Sequence, residues 1–135
     1  MCLGIILSGS ADAKGLTETQ RHALDSLHQE IIDCALYFHI SSVGVIRLES
    51  DQALTISHRS TKWKDHLILI ANEIRKKIGM SKRAMNARSE KAFESQMAVI
   101  DNDFTNYNIL LRKRLKPCAE LIKNLDQRID QAMER

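Results

Sequence analysis

The stretch "DCALYFHI", residues 33–40, sets Cys34 among apolar residues at helical spacing. A thiol there can act as a small hydrophobe, a metal ligand, a nucleophile or half of a disulfide. Zinc patterns built on paired cysteines are absent. A Cys34–His39 couple fails on direction, because residues five apart on a helix do not share a face. His22, Asp25 and His28 lie at i, i+3 and i+6, a poor match for one metal ion. No Glu stands three residues before His39, His58 or His66, as a di-iron carboxylate bundle would require. Gly-x-Ser-x-Gly and phosphate-cradling glycine loops are missing. Asp101 and Asp103, in "DNDF", read as solvated surface. The chain is therefore expected to work without an active site, metal or cofactor.

Basic residues gather in two places. Arg75, Lys76, Lys77, Lys82, Arg83 and Arg88 surround the expected turn between helices two and three, with Lys91 beyond, and "RKRLK" at 112–116 marks the expected turn between helices three and four. In an antiparallel bundle these turns fall at opposite ends. No aromatic residues interleave with the charges and the net charge is only +3, which argues against nucleic acid as the partner. Charge at helix C-termini is accounted for by the helix dipole. The Arg75–Arg88 group remains the candidate patch for an anionic partner, either an acidic protein or an anionic lipid headgroup.

The elements that position these residues are helical. Five Gly and one Pro in 135 residues, with 4% aromatics, predict long helices and exclude collagen-like and linker-like classes. Thr17 and Gln20 form a T-x-x-Q capping box, and Leu24, Leu27, Ile31, Cys34, Phe38, Ser41 and Val45 draw one seam. Ser41, Ser42 and Gly44 predict a bend or a close helix approach. Residues 49–60 are expected to form the reversal into helix two, which carries Trp63, Leu67, Ile70, Ile74 and Ile78 and stops at Gly79. Ser81 caps helix three, whose seam of Phe93, Met97, Ile100, Phe104, Tyr107 and Leu111 predicts continuity to about Leu115. Pro117 is expected in the first turn of helix four, with Cys118, Ile122, Leu125, Ile129 and Met133 as its stripe. The fold class is all-α, a mostly antiparallel four-helix bundle in a single domain, 14–135. A channel for an apolar ligand lined by Phe93, Met97 and Phe104 is an alternative to tight packing.

Residues 1–13, "MCLGIILSGSADA", join a short apolar run to an A-x-A ending, the pattern of a signal-peptide remnant, although no base precedes the run; the alternative is a disordered tail. Export would place Cys34 and Cys118, both on seams, in an oxidising compartment where a disulfide between the first and last helices is expected. The alternative is a cytoplasmic protein with reduced, buried thiols. "DCALYF" also resembles the C-A-x-Y-[YF] stretch of small, exported, all-helical proteobacterial proteins of unknown function. Cys34, Ala35, Tyr37 and Phe38 match that motif, and Cys118 takes the place of their C-terminal cysteine. The resemblance implies an exported helical fold and no particular activity. Together these features predict a periplasmic or secreted protein that binds another protein, envelope-associated or of immunity type; the rival is a cytosolic adaptor or nucleic-acid-associated protein. The oligomeric state is not encoded in any of these features.

Overall fold

The computed structural model describes residues 15–47 and 51–134. The 1–13 segment, with its expected signal remnant and Cys2, lies outside the described residues. Among the described residues there are five α-helices and no strand: α1 Glu18–Ile46, α2 Asp51–Ile78, α3 Lys82–Val99, α4 Tyr107–Lys123 and α5 Leu125–Glu134, with a 3-10 turn over Phe104–Asn106.

Helix α1 begins where its capping box predicts. The Gln20 backbone N–H donates to Thr17 Oγ1 at 3.0 Å, and the Thr17 N–H donates to Gln20 Oε1 at 2.8 Å. Its whole seam from Leu24 to Val45 is buried, Phe38 at 8% exposed being the least so, because α1 is the hub on which every other helix packs. Helix α2 runs antiparallel to it: Ser57 Oγ donates to the Ser42 carbonyl near the reversal, and Arg21 donates to the Ile78 carbonyl at the far end. Helix α3 runs parallel to α1, pairing Arg88 with Asp25 and Gln96 with Asp33. Helices α4 and α5 return antiparallel, from Tyr107 beside Gly44, through Cys118 at Cys34 and Arg128 at Glu30, to the Met133 carbonyl that accepts from Gln20. The small residues late in α1 do mark a close approach, since a Cβ on Gly44 would lie 2.5 Å from the Phe104 carbonyl oxygen and 2.8 Å from the Tyr107 ring.

Three boundaries differ from the sequence expectation. The reversal does not occupy 49–60, because α2 already starts at Asp51. Its first half buries Ala53, Ser57 and Ser60, a helical stripe of small residues that lets two backbones come close but carries no aliphatic periodicity. Helix three does not run to Leu115; it ends at Val99. Asp101 and Asn102 both take φ 56°, a left-handed pair that Asp and Asn tolerate better than most residues. Asp103 then caps the 3-10 turn, accepting from the Thr105 N–H and hydroxyl at 3.0 and 2.7 Å, and these bonds hold its carboxyl below the usual range. Finally, Pro117 sits inside α4 and not in its first turn. It is exposed, as is Lys113 one turn before it, so the carbonyl left without a donor is on the solvent side. The final arm divides instead at Asn124, where the backbone bonds Asn124 N–H to Glu120 and Arg128 N–H to Asn124 keep α4 and α5 almost continuous. Five helices thus stand where four were expected.

Gly79, at φ 74°, ends α2 as foreseen, and the Met80 N–H closes the turn onto the Arg75 carbonyl at 2.8 Å. Ser81 caps α3 through the Ala84 N–H at 3.0 Å. Of the three residues named for an apolar channel, Met97 is buried and the Phe93 and Phe104 rings lie 6.4 Å apart.

Candidate binding surfaces

Cys34 and Cys118 come from the middle of α1 and from α4, and both are buried. The close packing of the two helices brings their Cα atoms to 5.5 Å and their sulfurs to bonding distance, 2.11 Å. His39 packs its ring against Phe93 at 6.1 Å, and burial pushes its pKa down. No group of three or more His, Cys, Asp or Glu side chains among the described residues is arranged to hold a metal ion, and no described helix is long and apolar enough to cross a membrane.

The six residues of the expected anionic-partner patch divide between two tasks. Arg75 turns back on its own corner, donating to Asn72 Oδ1 at 2.7 Å and to the Met80 carbonyl at 3.2 Å. Lys77 is buried. Arg88 crosses to α1, where it donates to Asp25 Oδ1 at 3.1 Å and lies 3.1 Å from His28 Nδ1. Lys76, Lys82 and Arg83 are exposed, and Lys76 approaches Glu73 at 3.6 Å.

His28, fully buried, is the most perturbed group on this side. Desolvation is the main cause; the Arg88 cation adds to it, Asp25 and the Ala71 carbonyl oppose it, and Arg75 contributes slightly, leaving the pKa lowered to about 4. The imidazole is neutral at physiological pH. Accepting from Arg88 at Nδ1 assigns its proton to Nε2, which faces the Ala71 carbonyl without completing a well-formed hydrogen bond. His22, by contrast, is exposed, so the His22–Asp25–His28 series serves an Arg88 anchor and a neutral core imidazole.

A larger feature lies on the other side of α1. Helices α2 and α4 each pack closely on α1 and approach one another only marginally. Between them runs an apolar groove of about 500 Å³. Tyr37 and Phe38 form its floor, Ile56 and Trp63 one wall, and Leu111 and Leu115 the other. Ile56 and Leu115 are 43% and 48% exposed, large values for residues of an apolar wall. Arg59 stands at the groove, and α4 carries Arg112, Lys113, Arg114, Lys116 and Lys123 against Glu120 alone. The "RKRLK" run, expected at a turn, therefore lies along the middle of a helix that borders the groove.

Sequence reasoning missed this groove. Trp63 and Leu111 were readable as seam residues, but their seams do not meet. The signal that remained was a helix whose apolar stripe alternates with a dense basic run. No family model, curated protein or solved structure matches the chain, so geometry alone carries the functional reading.

Proposed function

We propose that this protein acts by binding another protein, taking an acidic amphipathic helix of its partner into the groove between α2 and α4. The observation that carries the reading is the apolar groove between α2 and α4, with its half-exposed walls at Ile56 and Leu115. Four arms, with α4 and α5 forming one interrupted arm, make a bundle with one side left unclosed, and a fifth helix is the element whose shape completes it. An apolar face at i, i+3, i+4 and i+7 would cover Trp63, Leu111 and Leu115, and acidic residues on its flanks would meet Arg59 and the excess of base on α4. We place the protein in the periplasm or outside the cell, because a buried cysteine pair at bonding distance fits an oxidising compartment. A peripheral contact of Lys76, Lys82 and Arg83 with anionic lipid is compatible with this location.

Trp63 is the single tryptophan and reports directly on the groove. Titrating the protein with a synthetic acidic amphipathic helical peptide should shift Trp63 emission to shorter wavelength as water leaves the indole. A basic peptide with the same apolar face should not. Leu115→Glu, at a half-exposed site, should weaken the acidic peptide about tenfold or more by placing charge in the apolar contact. Emission that stays unchanged, or that responds equally to both peptides, would count against this occupant.

A further inference from the structure

On the flank of α1 away from the groove, a polar cleft of about 480 Å³ opens between α1, α3 and α4. Arg88, Lys91 and Arg114 line it together with Gln29, Asp33 and Gln96. Arg88 is matched by Asp25. Lys91, which is exposed, and Arg114, which is half-buried, make no ion pair among the described residues.

The helix directions order the charges along the cleft. Arg88 and Lys91 lie toward the Asp25 end of α1, since α3 runs parallel to it. Arg114 is one turn before Cys118 on an antiparallel helix, so it lies beyond Cys34 toward the other end. Between them sit the acceptors. Asp33 Oδ1 takes a bond from Gln29 Nε2 at 3.0 Å, and Oδ2 has no hydrogen-bond partner. Gln96, only 2% exposed, donates through Nε2 to the Asp33 carbonyl at 2.8 Å, which leaves its Oε1 buried without a partner. The buried, unmatched Gln96 oxygen, whose amide is tied to the Asp33 backbone, adds negative potential on this side of the cleft.

We infer that this cleft binds a free acidic amino acid, its two carboxylates held by Lys91 and Arg114 and its ammonium by the Asp33 carboxylate. Charge decides between ligands of similar shape. With Arg88 matched by Asp25, the cleft holds two cations and one carboxylate, and an acidic amino acid, with two carboxylates and one ammonium, neutralises that set. A hydroxydicarboxylate supplies a donor but leaves Asp33 facing net negative charge, and a plain dicarboxylate supplies no donor at all. Arg114 offers a planar fork for one carboxylate and Lys91 a point charge for the other.

The test is calorimetric titration of the full-length protein with L-aspartate, L-glutamate, L-malate and succinate in turn. One or both amino acids should bind, malate more weakly and succinate weakest. Lys91→Ala and Arg114→Ala should each weaken the amino acid about tenfold or more, with circular dichroism confirming an intact fold. Asp33→Asn should erase the preference for aspartate over malate, a change that simple destabilisation would not produce. The inference is overturned if none of the four ligands binds at millimolar concentration, if succinate binds as well as aspartate, or if binding survives both cation substitutions unchanged.

Discussion

Acidification should loosen this fold through one imidazole. His28 is fully buried, accepts from Arg88 at Nδ1 and has its pKa lowered to about 4 from an ordinary 6.5. The unfolded chain therefore binds a proton at this residue at a pH where the folded chain does not, so stability rises with pH across the window from about 4 to 6.5 and is lost as pH falls through it. Integrating those two values gives a loss of roughly 2 kcal/mol between pH 7.5 and pH 5, approaching roughly 3 kcal/mol below pH 4. The physical origin is plain: a protonated ring would sit desolvated against the Arg88 cation and could no longer accept its hydrogen bond. Urea denaturation followed across this range in the native sequence and in His28→Gln isolates the effect, since glutamine can still accept from Arg88 but does not titrate. The native protein should lose about 2 kcal/mol more than the variant by pH 5. Equal pH slopes, or a His28 pKa near 6 by NMR, would refute the reasoning.

The Cys34–Cys118 crosslink spans 84 residues of sequence, so reduction or the double change to Ala should cost roughly 4–5 kcal/mol in the chain-entropy account; denaturant midpoints with and without reductant read it, and a change below about 1 kcal/mol would contradict the pairing. Gly44→Ala should destabilise by about 1–3 kcal/mol despite the better helix former, because the new Cβ meets the Phe104 carbonyl and the Tyr107 ring and a backbone oxygen cannot swing aside; a rise in Tm would show that the 3-10 turn yields freely. Thr17→Ala removes half of the capping box and should cost about 1 kcal/mol, read as faster amide exchange in the first turn of α1.

Helix α1 was legible almost residue by residue, because its seam is aliphatic and its start carries a side-chain cap. The first half of α2 was not. Its buried stripe is Ala53, Ser57 and Ser60, residues whose composition suggests a loop and whose small size is what lets α1 and α2 come together. The break between α3 and α4 hid behind an unbroken 4-3-4 seam from Phe93 to Leu111; the "DNDF" run read only as solvated surface, although its Asp101 and Asn102 take the left-handed conformation that ends α3. Pro117 misled for the opposite reason, since a strong breaker is tolerated where its helix faces water. The cysteine pairing was readable because both thiols sat on core stripes. The groove and the cleft were not, since one depends on how loosely α2 and α4 approach each other, and the other gathers Arg88, Lys91 and Arg114 from two helices onto α1.

The claim on which the functional account turns is that the open side between α2 and α4 is filled by a partner's acidic helix. A photo-crosslinking residue placed at Leu115, with a second variant bearing it at exposed Leu69 on the outer face of α2, tests this in the native cell. The account predicts one discrete adduct from position 115 and none from 69, with mass spectrometry locating the crosslink in an acidic amphipathic helix of another protein. Identical adducts from both positions, a crosslink only to a second copy of this chain, or no adduct at all would contradict it.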